Sequence, residues 1–206
     1  MMTSTEAAWP EVPAPRSGLA GEWDRFIGPG ATRAELALIL GSALVGSAAV
    51  AIYALWQDLA WSPVQTAAAA LLALDLVGGV VANTTTAAKR WYHRPGQGFR
   101  QHFAFVVLHV HPFLVAWLFW DGDWTFGLVV YGYLLLATLL ILCTQLYLRR
   151  PVAMALTIAG LGIGLVTFPP APGMAWFVPV FYLKLLVSHL LREWPYSPEA
   201  AAELGT

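Results

Sequence analysis

Charge is what this sequence has least of. Lys, Arg, Asp and Glu make up 11% of its 206 residues, against about 25% in soluble domains. Apolar residues make up 58%, and the mean hydropathy is +0.63. The core of a chain this long does not need so many, so the surplus belongs on the surface. That points to an all-α, polytopic integral membrane protein.

Other absences narrow the chemistry. A single cysteine, Cys143, excludes an intrachain disulfide and a CxxC metal site. The formal net charge of −1 and the lack of a basic face argue against nucleic acid as a partner. Five histidines without HxxxH or HxxHH clusters do not make a desaturase-type di-iron site. There is no CDP-alcohol transferase Asp run, no double Asp-rich prenyltransferase motif and no Glu-Glu pair of the CAAX-protease kind. A rhodopsin-type Schiff base is disfavoured by six apolar runs instead of seven, and by Val180 four residues before Lys184.

What is present is six apolar runs, at roughly 35–56, 64–88, 102–120, 125–147, 152–168 and 174–191. Each is long enough for a hydrocarbon layer of about 30 Å. Turn chemistry separates them: Ser62-Pro63, RPGQG at 94–98, DGDW at 121–124, RRP at 149–151 and FPPAPG at 168–173. The pattern predicts a six-transmembrane-helix bundle over 34–192. Residues 1–33 hold acids and prolines but no apolar run. They predict a flexible N-terminal tail and not a signal peptide, with GEWDRFIG as a short interfacial helix. Residues 193–206 form a C-terminal tail. The glycines of the fifth run, Gly160, Gly162 and Gly164, predict close helix packing.

Positive charge is distributed unevenly. Lys89, Arg90, Arg94 and Arg100 lie between runs two and three, and Arg149 and Arg150 between four and five. The opposite loops carry Asp58, Asp121 and Asp123 and no cation. The positive-inside rule then predicts a multi-pass protein of the cell membrane with both termini and the basic loops in the cytoplasm. Trp56, Trp61, Trp120, Trp124 and Trp176 would form the outer aromatic belt, and Trp91 and Trp194 would mark the inner side.

Two charges fall inside apolar runs: Asp75 in run two and Lys184 in run six. Each is costly alone in a bilayer and calls for a partner, so they are expected to pair. On a continuous helix, Asp75, Ala82, Thr86 and His93 share one face of run two. Thr84 and Thr85 are expected to bond their own helix carbonyls, whereas Asn83 needs another helix or a ligand. In run three, His102 and His109 share a face, and His111 lies about 200° round from His109. Pro112 bends that helix. The expectation is that His109 joins Asp75, while His111 packs between helices.

Polar groups concentrate in the inner half, which predicts a cavity open to the cytoplasm. The leading expectation is an enzyme acting on a lipid-like or amphipathic substrate. Asp75, His109, Lys184 and Asn83 would be its catalytic residues, supported by Thr86, His93, His102, His111, Ser188 and His189. The alternative is a small transporter, channel or proton relay, and a further one is a scaffold subunit. Asp75 and His109 are candidate ligands of a divalent cation, and His109 and His189 would be the axial pair of a haem. Substrate and oligomeric state are not legible.

Overall fold

A computed structural model describes residues 10–193, and these are helical with no strand among them. The tails at 1–9 and 194–206, Trp194 included, lie outside the described residues. The first helix is α1 (Gly18–Ile27), followed by α2 (Arg33–Trp56), α3 (Pro63–Thr84) and α4 (Thr86–Tyr92). Next come α5 (Phe99–Val107), α6 (His111–Phe119), α7 (Trp124–Cys143) and α8 (Leu146–Gly162). The last is α9 (Phe177–Tyr182). α8 runs on into a wider π-helical turn at Ile163–Thr167, and α9 into one at Leu183–His189.

Local chemistry sets the starts. Thr32 and Glu35 form a reciprocal capping box at α2, as Ser62 and Gln65 do at α3, where Pro63 fills the first turn. The Asp123 carboxylate caps α7 by accepting from the Thr125 amide at 2.9 Å.

Five helical segments are long and apolar enough to cross a membrane: Arg33–Trp56, Pro63–Thr84, Phe99–Phe119, Trp124–Cys143 and Leu146–Thr167. The sixth apolar run is helical only over the shorter stretch Phe177–His189. α2 and α3 pair through small residues, with Gly78 against Ala43 and Gly46 against Val77. Gly160 meets Tyr133 and Tyr182, and Gly164 meets Val178, but Gly162 has open space beside it. The last helix is the centre of the bundle: Phe177, Phe181, Leu185 and Leu186 are fully buried there. By contrast α2 exposes Leu38, Leu44, Val45, Ile52 and Leu55, as a lipid-facing helix does.

Two breaks change the face arithmetic. Thr85 is extended (φ −66°, ψ 152°) and separates α3 from α4; its hydroxyl accepts from the Ala88 amide and caps α4. Thr86 and His93 therefore do not continue the face of Asp75. A second break lies between Val107 and His111, beside Pro112, where the His109 amide turns tightly onto the Val106 carbonyl at 3.0 Å.

Part of the stretch before α2 is helical. α1 forms where a short helix was expected, but residues 16–30 dock on α4. The Tyr92 hydroxyl donates to the Phe26 carbonyl at 2.8 Å, and Arg90 donates to that of Pro29 at 2.9 Å. Gly28, at φ +97°, lies against the Ala87 backbone. The Arg16 guanidinium binds the Asp24 carboxylate at 2.7 Å and holds its pKa down at about 2.

Candidate functional site

The two charges expected to pair do so. The Lys184 ammonium donates to Asp75 Oδ2 at 2.7 Å. The lysine is buried, while the Asp75 side chain is 40% exposed. Lys184 reaches across α3 at Gly79, where a Cβ would stand 2.4 Å from its Cε. Glycine there makes the passage, four residues along the helix from the carboxylate it serves.

The third member of this centre is His111. Its Nε2 lies 3.6 Å from Asp75 Oδ2. His109 instead points its Nδ1 at the Phe105 carbonyl at 2.8 Å, and since a carbonyl only accepts, that nitrogen carries the proton. The expected roles of the two histidines are therefore exchanged. The reason is the break before His111: counting 100° per residue fails across an interrupted helix. The two imidazoles remain neighbours, with ring centres 5.4 Å apart. His111 Nδ1 is buried without a hydrogen-bond partner.

The other three histidines assemble at the end of the bundle that carries the basic loops. His102 Nδ1 and His189 Nε2 are 3.2 Å apart, so one donates and the other accepts. His93 stacks on His102 with ring centres 4.6 Å apart, and its Nε2 donates to the His189 carbonyl at 3.1 Å. Lys89 donates to the Ser188 and Leu191 carbonyls at 2.7 and 2.6 Å, closing the end of the last helix. Burial pushes its pKa down to about 8. Ser188 thus contributes its carbonyl to Lys89.

Phe105 joins the two groups. Its ring stacks on His189 at 3.9 Å and lies 4.6 Å from that of His109. All five histidines of the chain, with Asp75 and Lys184, therefore lie in one file of neighbouring side chains, with Phe105 between His109 and His189. The sequence carried a signal for Phe105 that went unused: it is three residues after His102 and four before His109, on the face between them.

Elsewhere the expectations divide. Asn83 is buried and its amide nitrogen has no partner among the described residues. Thr84 and Thr85 bond their own helix carbonyls, as expected. Thr86 is half-buried in the first turn of α4. The space between His109 and His189 that a haem would occupy is filled by Phe105. Among the described residues, no three His, Cys, Asp or Glu side chains converge as metal ligands. Asp75 and His109, the expected cation ligands, are engaged with Lys184 and the Phe105 carbonyl.

A cavity open to the cytoplasm is the expectation for the inner half. Cavities of about 240 and 280 Å³ open around Arg149 at the basic end. Another, of about 390 Å³, is an apolar groove by Tyr53 and Trp176 at the opposite end. Asp75 lines none of the three. Its exposed side lies instead on the flank of the bundle, where Leu71 and Leu74 of α3 are exposed, as is Leu114 of α6. Comparison with protein-family models, curated proteins and solved structures finds no match for the chain.

Proposed function

We propose that this is a multi-pass membrane protein whose basic end lies in the cytoplasm, and that it carries protons between that end and Asp75. The observation that supports this reading best is the single file of Asp75, His111, His109, His189, His102 and His93. Chains of intramembrane carboxylates and histidines suit proton movement, because a neutral imidazole carries one donating and one accepting nitrogen. Lys184 offsets the cost of the Asp75 carboxylate while it is ionised.

At the Asp75 end the file opens on the flank of the bundle. Asp75 is partly exposed there among lipid-facing leucines. The proton acceptor is therefore a lipid-soluble or amphipathic molecule that reaches Asp75 from within the membrane. This keeps the acid–base role expected of Asp75 and makes the histidines its supply. Lys184 would stabilise negative charge that develops on the acceptor.

Proton movement in proteoliposomes tests it, with a lipid-soluble weak base as the acceptor and an enclosed pH-sensitive dye as the readout. Wild type should deliver protons to the acceptor faster than Asp75→Asn does. Equal rates in the two would sink the proposal.

A further inference from the structure

The cavity of about 280 Å³ at the basic end is lined by His93, His102, Arg149 and Arg192, with Phe99 and Leu146 on its apolar side. Among the described residues, no carboxylate lines it. The nearby Glu193 carboxylate is paired with Arg150 at 3.4 Å. His93 and His102 are both more than nine-tenths buried. Each spends one ring nitrogen inside the protein, on the His189 carbonyl and the His189 ring respectively. The second nitrogen of each remains for a ligand. Arg149 anchors one terminal nitrogen to the Leu142 and Thr144 carbonyls, at 3.2 and 3.4 Å, while its Nε is buried with no partner.

Backbone adds to the same field. The nine-residue α5 opens at the cavity from Gly98, which has no side chain to cap it. The start of α8 opens there too, and the Gln145 side chain does not cap it. Both helix ends present unsatisfied N–H groups and positive dipole. Fixed guanidinium donors, uncapped amides and ring nitrogens around a small volume are the chemistry that holds a phosphate group. Exposed Phe99 and Leu146 sit where an acyl chain would leave it.

We infer that this cavity binds a phosphate monoester, as carried by the headgroup of an anionic lipid of the adjoining leaflet. Basic pockets between transmembrane helices recognise such headgroups. The site is separate from Asp75 but shares His93 and His102 with the basic end of the proposed proton path; phosphate binding does not require that path.

The test is native mass spectrometry of the full chain in neutral detergent, with dioctanoyl phosphatidic acid, dioctanoyl phosphatidylcholine and inorganic phosphate as probes. Phosphatidic acid should bind at least tenfold more tightly than phosphatidylcholine. Arg149→Gln should weaken it tenfold or more, and Arg149→Lys should restore part of the loss. Because Arg149 also braces the α7–α8 turn, Leu146→Trp provides a second variant: it fills the cavity at constant charge and should weaken binding as well. Phosphatidic acid binding well above inorganic phosphate assigns the site to a lipid, and equal binding assigns it to free phosphate. Both support a phosphate site. Equal affinity for phosphatidylcholine, or binding that neither Arg149→Gln nor Leu146→Trp changes, overturns it.

Discussion

Lys184 lies so close to Gly79 that any side chain at residue 79 would occupy the path of the lysine to Asp75. Gly79→Ala should therefore displace the ammonium from the carboxylate, because the end of a lysine moves more readily than two packed helices. The expected cost is about 1–3 kcal/mol, as for other overpacked sites. In the Lys184→Met background the same change should cost much less. Thermal unfolding of the four proteins in detergent gives this coupling directly, and additive losses would contradict it.

Asp75→Asn leaves the Lys184 ammonium buried and without its partner. The loss should be roughly 3 kcal/mol, at the low end for buried pairs because the carboxylate is itself partly exposed. Asp75→Leu with Lys184→Met should recover most of that stability and still fail to deliver protons to the acceptor. A double variant no more stable than Asp75→Asn would show that packing, not the charge, sets the cost.

Phe105 is the interruption in the histidine file. Phe105→Ala opens room for water between His189 and His109. Proton delivery to the lipid-soluble acceptor should then speed up in the dye measurement. An unchanged rate would place the supply elsewhere.

Lys89 predicts a pH dependence of stability. Its folded pKa of about 8 lies below the ordinary 10.5. Between those values the unfolded chain binds more protons, so the contribution of Lys89 to stability rises with pH across that window. The advantage of wild type over Lys89→Met should grow from pH 8 towards pH 10.5. A constant difference in melting temperature would mean that Lys89 is not held in that buried site.

Orientation follows from the basic loops. In a Cys143→Ser background, Gly96→Cys should resist a membrane-impermeant thiol reagent in intact cells and react once they are opened. Gly122→Cys should react from outside. The reverse pattern would put the histidine file and the phosphate cavity on the other side of the membrane.

What the sequence by itself determined is whatever depends on composition and on residues near one another in the chain. Apolar runs and turn residues specified the helices of the described residues and five segments long enough to cross a membrane, whereas the sixth expected span is helical only over Phe177–His189. The rarity of intramembrane charge singled out Asp75 and Lys184, and opposite sign made their pairing the economical solution. Tertiary structure decided the rest. Helical face counting holds only while a helix is continuous, and the breaks at Thr85 and before His111 reset it. That is why His111, not His109, reaches Asp75. The contacts of His93, His102 and His189 join α4, α5 and the last helix across about ninety residues, and no local period encodes them. The same holds for the inner half, where Phe105 fills the space between His109 and His189 and a cavity opens beside His93 and His102. Its volume depends on how three helices close on one another, which only their packing settles.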